Sequence, residues 1–323
     1  MIIAMNASPY FGYGVCAANL LREFSLRGEA WLYPLGELIP WGTGLDDLIR
    51  EKIRYFKGRV DEPVLTAAGP DLEPQIDFRG SPTIGLVFSE WEPITAKQVE
   101  NLKKFDIVIA GSEWNAEVIR KAGVECVAVQ QGVDTSIFHS RPALHPFSVF
   151  SGGKFEHRKG QDLVIQAMRE LRKTHPEIQF ICTWENIWDQ SWRDRVDDDL
   201  SVASGVCTQQ KLSYLMSQTD VGLFPNRCEG GTNLVMMEYL ACGRPVIATF
   251  GTGHKDVLDH SYALELKGTD SQIVDGMVSG VVELLYDKKK RLSMGERAEK
   301  AMQKWSWKRM ADAIEKIAEV EYA

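Results

Sequence analysis

The chain has 323 residues, 44% of them hydrophobic and 25% charged, with a formal net charge of −8. That length fits two domains of ordinary size, and the acidic balance disfavours a nucleic-acid partner, which needs clustered Lys and Arg against phosphates. No apolar run reaches the ~20 residues that span a bilayer, and the start MIIAMNASPY is too short for a secretory leader, so the expected location is cytoplasmic, with peripheral membrane contact left open.

Strands and helices alternate almost throughout. Residues 1–6 predict a strand, and residues 15–24 an amphipathic helix with Ala18, Leu21 and Phe24 at helical spacing. Residues 33–82 are rich in Gly and Pro and read as irregular loops. Residues 83–88 and 107–110 predict strands. A helix over 113–121 lies between Ser112 as N-cap and Gly123 as stop, and a short strand covers 126–130. Residues 139–146 hold two prolines and no periodicity, which marks a linker.

A second alternation follows the linker. Strands are predicted over 147–151, 178–183, 220–225 and 246–249. Helices are predicted over 161–172, 209–217 and 233–242, the last stopped by Gly243 with Pro245 soon after. Two helices, around 271–286 and 307–320, close the chain, and the basic run Lys288 to Arg291 reads as a solvated helix end. Strands separated by helices imply parallel sheets covered on both faces. The expected fold is therefore α/β, with two doubly wound Rossmann-like domains, residues 1–142 and 147–305, facing each other across a cleft. The six cysteines are dispersed, with no CxxC pair, as expected of buried reduced thiols.

The most informative segment runs from Cys228 to Thr249. Glu229 sits in the loop that ends one strand. Gly230 and Gly231 let the backbone approach a ligand, Thr232 and Asn233 are candidate caps, and Leu234 opens the helix. The free N–H groups of that first turn suit a diphosphate. Glu238, about a turn and a half further, is placed to reach a ribose diol. A second segment, Phe150 to Leu163, combines a strand, a Gly-rich turn with Lys154, Arg158 and Lys159, and a helix. Fixed cations there can neutralise a departing nucleoside diphosphate without a metal.

These two segments resemble the donor site of the retaining GT-B glycosyltransferases of family 4, the group 1 glycosyltransferases. The resemblance implies that Glu229 contacts the donor sugar and Glu238 the ribose. It implies that Lys154 and Lys159 face the diphosphate, with Arg158 as the alternative to Lys159. Eight residues separate the two glutamates where the family has seven, so the loop carries one extra residue and the usual first position falls on Gly230. The family's fold is GT-B, with the donor in the second domain, the acceptor in the first, and a C-terminal helix, here about 306–323, packed back on the first domain. The implied donor is a UDP- or GDP-sugar, the acceptor a carbohydrate or other hydroxyl, and no cofactor or metal is required.

Three further stretches bear on the site. Phe11 to Ala17 matches the dinucleotide fingerprint GxGxxA, but the only nearby candidate for the acid expected after the second strand is Glu37, which Leu-Ile-Pro follows. The resemblance makes Gly12, Tyr13 and Gly14 a turn that lines the cleft opposite the donor phosphate. Glu90, Trp91 and Glu92 follow the 83–88 strand, where an acid could orient an acceptor hydroxyl and Trp91 could stack on a sugar; a purely structural role is equally open. Trp184 follows the next strand of the second domain and is read as facing the nucleotide base. Asp197 to Asp199 superficially fits a metal-binding Asp-x-Asp, but no apolar strand end precedes it, so no metal is assigned. A nucleotide-sugar epimerase, a nicotinamide-dependent oxidoreductase and a non-catalytic sugar-nucleotide binder remain as alternatives.

Overall fold

A computed structural model describes residues 1–142, 146–186, 189, 191, 201–202 and 208–320. The chain divides into two compact units. The first comprises Met1–Gly132, Gly230–Thr232 and Trp305–Ala323; the second comprises Val133–Glu229 and Asn233–Lys304.

The first unit is built from β1 (Ile2–Met5), α1 (Gly12–Ser25), β2 (Trp31–Pro34), α2 (Leu45–Lys52), β3 (Val64–Ala67), β4 (Thr83–Val87), α3 (Ala96–Leu102), β5 (Ile107–Ala110), α4 (Glu113–Lys121) and β6 (Val127–Ala128). Its sheet has the order β2-β1-β3-β4-β5-β6, and every pairing is parallel. β1, β3, β4 and β5 are buried along their whole length, which explains their near-continuous apolar runs.

The second unit holds β7 (Ser148–Lys154), α5 (Gln161–Thr174), β8 (Gln179–Glu185), β9 (Ser201–Val202), α6 (Gln209–Ser217), β10 (Val221–Phe224), α7 (Leu234–Ala241), β11 (Val246–Thr249), β12 (Ala263–Leu266), α8 (Asp270–Tyr286) and α9 (Lys288–Met302). The parallel sheet runs β12-β11-β10-β7-β8-β9. The last helix, α10 (Trp307–Val320), belongs to the first unit and packs on α1. Arg27 fixes that contact, its guanidinium reaching Asp312 at 2.8 Å, Glu315 at 3.0 Å and the Lys308 carbonyl at 3.1 Å.

Several expectations need correction. The irregular stretch 33–82 contains α2 and β3, and β2 ends inside it. The turn read at Gly12 to Gly14 is instead the first turn of α1. Gly152, Gly153 and Lys154 continue β7 rather than forming a turn. A separate helix, α9, follows α8, so Lys288 to Arg291 begin a helix rather than end one; Asp287 caps it, accepting from the Lys290 amide at 2.8 Å. Arg291 is not solvated, since it pairs with Asp220 at 3.2 Å and lies over the Phe147 ring. Within the expected linker, residues 143–145 lie outside the described residues, while Arg141 donates to Ser213 Oγ at 2.7 Å in the second unit. The Asp197 to Asp199 triplet also lies outside them.

Candidate functional site

In the second unit the chain moves outward from β7 through β8 to β9, then returns to the other side of β7 with β10. β7 and β10 therefore flank a topological switch point, where open α/β sheets bind ligands beyond the strands' carboxyl ends. The connections leaving these two strands touch. The Arg227 amide donates to the Arg158 carbonyl at 2.7 Å. Gly160 has φ +72, and a Cβ there would stand 2.3 Å from the Pro225 carbonyl oxygen, so both the backbone conformation and the close approach call for glycine.

Glu229 is the centre of this junction and is 5% exposed. Its Oε1 accepts from Lys159 Nζ, from Arg158 at 3.2 Å and from Asn226 Nδ2 at 2.5 Å. Burial alone would raise its carboxyl, but the fields of Lys159, Arg158 and His254, with the Lys159 hydrogen bond, outweigh burial and hold it below the usual carboxylate range. All three donors converge on one oxygen, so Oε2 is left without a protein donor among the described residues. Glu156 extends the cluster, pairing with Lys154 at 2.5 Å and Arg158 at 2.8 Å. Lys154, Arg158 and Lys159 thus meet Glu156 and Glu229 in one cluster.

α7 begins beside this cluster. Asn233 is its N-cap in the left-handed region (φ 63), and its side chain accepts from the Met236 amide at 3.4 Å. Leu234 is the first helical residue and is buried. Glu238 lies on the same helix, 6% exposed, and among the described residues no hydrogen bond or ion pair reaches its carboxyl. Burial alone pushes it up to about 8. Buried polar groups are ordinarily satisfied, and this carboxyl is not.

The remaining predicted residues have other surroundings. Trp184 is fully buried, donates from Nε1 to Ser151 Oγ at 3.2 Å and packs edge-on to Phe155 and Phe180. It is core, not a base-facing ring, because its position in β8 points the indole into the layer under the sheet. Thr232 does not cap α7; its amide and hydroxyl donate to Gln131 Oε1 at 3.3 and 3.4 Å, within the first unit. Gly230 and Gly231 serve packing there: Cβ atoms would lie 2.4 Å from the Ser89 carbonyl oxygen and 2.6 Å from Gln131 Oε1. Ser112 Oγ donates to the Gly230 carbonyl at 2.8 Å.

At the start of α1, Gly12 faces open space, whereas a Cβ on Gly14 would sit 1.9 Å from the Ser8 carbonyl oxygen. Tyr13 turns to the end of β4, its hydroxyl donating to the Leu86 carbonyl at 3.3 Å and accepting from the Phe88 amide at 3.1 Å. In the loop after β4, Asn115 pins Ser89 by two hydrogen bonds. Beyond it Glu90 is half-buried, Trp91 is 67% exposed, and Glu92 reaches Lys121 at 3.7 Å. Among the described residues, no group of three or more His, Cys, Asp or Glu gathers to hold a metal ion.

Sequence reasoning did not single out Asn226, Thr252 or His254. Asn226 and Thr252 hydrogen-bond Glu229, and His254 contacts Asn233. All three follow strand C-termini, β10 and β11, and that position was the available signal.

Residues 146–287 match the family model described as glycosyl transferases group 1. A GDP-mannose-dependent monoacylated alpha-(1-6)-phosphatidylinositol monomannoside mannosyltransferase of Corynebacterium glutamicum is 28% identical over 176 residues, 51% of this chain and 45% of that protein. The GDP-mannose-dependent alpha-(1-6)-phosphatidylinositol monomannoside mannosyltransferase of Mycolicibacterium smegmatis is 30% identical over 164 residues, 47% of this chain and 42% of that protein. The match thus spans under half the length of these curated relatives. Among solved structures, Anabaena HepE in complex with UDP and glucose superposes with a TM-score of 0.75 at 12% identity, covering 98% of both chains. Sucrose-phosphate synthase from Thermosynechococcus elongatus gives 0.71 at 15% identity, again covering 98% of both. Residues 146–287 are thus similar to the group 1 glycosyltransferases, and the two parallel-sheet α/β units have the GT-B fold.

Proposed function

We propose that the protein transfers a hexosyl group from a nucleoside diphosphate sugar to an acceptor hydroxyl, with retention of anomeric configuration and without a metal. The observation that carries this reading is that the second unit holds both an orphaned buried carboxyl, Glu238, and a buried ion cluster around Glu229 at its switch point. Glu238 accepts from the ribose hydroxyls. Lys154, Arg158 and Lys159 balance the diphosphate, whose charge grows as its bond to the anomeric carbon breaks. Glu229, held ionised, offers its free Oε2 to a donor-sugar hydroxyl. The acceptor oxygen bonds the anomeric carbon on the face the phosphate leaves, and its proton passes to the departing diphosphate, so no strong base is needed.

Both nucleotide bases are candidates: the two curated relatives named above are GDP-mannose-dependent, and HepE structures hold UDP or UDP-glucose. In this reading the first unit presents the acceptor, a glycan or lipid hydroxyl, with Glu90, Trp91 and Glu92 as its contacts. Among the described residues no helix is long and apolar enough to cross a membrane. The test is product analysis by proton NMR, with a chelator present, using UDP- and GDP-sugars and a panel of glycan and lipid acceptors. A product with the donor's anomeric configuration supports the proposal. An inverted product, or an epimerised sugar from donor alone, overturns it.

A further inference from the structure

The segment following β11 brackets the Glu229 loop at several points. Thr249 Oγ1 donates to the Asn226 carbonyl at 2.6 Å. Thr252 Oγ1 accepts from the Glu229 amide at 2.9 Å, and the Gly253 amide donates to the Glu229 carbonyl at 3.0 Å. At the far end, His254 is fully buried with its Nε2 3.1 Å from Asn233 Nδ2 and its Nδ1 2.8 Å from the Thr249 carbonyl oxygen.

The partners fix the proton on the ring. A carbonyl oxygen only accepts, so Nδ1 carries the hydrogen. Nε2 of the neutral ring then accepts from the Asn233 amide nitrogen. That in turn directs Asn233 Oδ1 to the Met236 amide, the capping bond of α7. Asn233 holds a left-handed backbone, which an Asn adopts most readily when its side chain bonds locally. We propose that His254 is a positioning residue for the donor site: through Asn233 it fixes the entry into α7, and so sets how the helix's first free amides and Glu238 meet the donor. This rests on the nucleotide-sugar reading above.

A protonated ring would turn an Nε2 hydrogen against the Asn233 NH2 group and break the chain of bonds. Burial is the largest influence on His254 and lowers its pKa. Glu229 and the Thr249 carbonyl raise it, and Lys159 lowers it further; the net position is below the ordinary value. The neutral ring therefore persists through neutrality and is lost on acidification.

The experiment measures dissociation constants for UDP-glucose and GDP-mannose by calorimetry from about pH 5 to about pH 7, below the value of about 8 near which Glu238 ionises. These diesters have no ionisation of their own in that range. Wild type is expected to weaken about five- to tenfold on the acid side. His254→Leu is expected to be weaker by a similar factor at neutrality and to lack the acid limb. His254→Gln, which keeps an acceptor toward Asn233, is expected to recover part of the affinity. Asn233→Gly combined with His254→Leu should bind no more weakly than the worse single variant, as coupled residues require. Unchanged binding in His254→Leu, or full additivity with Asn233→Gly, overturns the proposal. Nitrogen-15 NMR of the wild-type imidazole tests it without a variant: the Nδ1–H tautomer is expected near neutrality, and the Nε2–H tautomer overturns it. If neither nucleotide sugar binds wild type, the functional reading fails, and the NMR result still decides the His254 to Asn233 bond.

Discussion

Replacing Glu238 by Gln should make the ligand-free protein more stable at alkaline pH. In the fold its carboxyl is pushed from an ordinary 4.5 up to about 8, with burial the sole cause. A raised pKa means the folded state binds the proton more tightly than the unfolded state. The associated stability is present below the unfolded value and is lost as pH rises through about 8. At roughly 1.4 kcal/mol per pKa unit, the loss between about pH 5 and about pH 9 approaches ~4 kcal/mol, with ~2 kcal/mol a reasonable floor after local relaxation. Gln has nearly the same shape and does not titrate. Urea unfolding of both proteins at the two pH values, without ligand, isolates this term, because every other titrating group is common to both. The stability difference should move by ~2–4 kcal/mol toward the variant on going alkaline. A difference constant within ~1 kcal/mol would show that the carboxyl is not desolvated, and the ribose assignment would lose its physical basis.

Other consequences follow from the same geometry. Lys159→Met should lower kcat by about 10²- to 10³-fold with a smaller change in the donor KM; steady-state kinetics giving kcat within about threefold of wild type would remove Lys159 from the reaction. Trp184→Ala should cost ~3–5 kcal/mol of stability while the folded fraction binds donor normally; a loss of donor affinity at unchanged stability would return the indole to the base-binding role. Gly14→Ala should destabilise by at least ~1–3 kcal/mol, since its Cβ would meet the Ser8 carbonyl, and wild type should not bind NADH in a fluorescence titration. NADH binding that Gly14→Ala abolishes at unchanged stability would favour a dinucleotide site.

The chemistry-bearing segments were the most legible part of the sequence. Glu229, Lys159 and Arg158 fall in connections that leave strand ends, where short polar and Gly-rich runs stand out against apolar strands, and the structure pairs both cations with Glu229. What the motif could not show was what holds the Glu229 loop. The bracket formed by Thr252, Gly253 and His254 comes from a connection more than twenty residues away, and only the parallel pairing of β10 with β11 brings it there. Trp184 was misread because an aromatic after a strand-like run resembles a site residue; β8 in fact continues to Glu185 and keeps the ring inside. α9 escaped because its buried positions, Met294, Gly295, Ala298 and Met302, include few strongly apolar side chains. Gly295 allows a close approach to the Gly243 carbonyl, so packing there depends on smallness rather than on hydrophobic periodicity. Residues 33–82 were opaque for a related reason: irregular stretches carrying Phe56, Val60, Ile76 and Phe78 pack against the sheet around Ile2, Ala4 and Val64 in place of a helix.

The most direct test of the account is calorimetric titration of the full chain with UDP-glucose and GDP-mannose in the presence of a chelator, for wild type and Glu238→Gln. The account predicts that one of the two binds wild type at about one per chain, and that at about pH 9, where the Glu238 carboxyl is ionised, the variant loses about 10- to 100-fold in affinity, the worth of hydrogen bonds to a charged group. Absence of binding by either nucleotide sugar, or equal affinity in the variant, would contradict it.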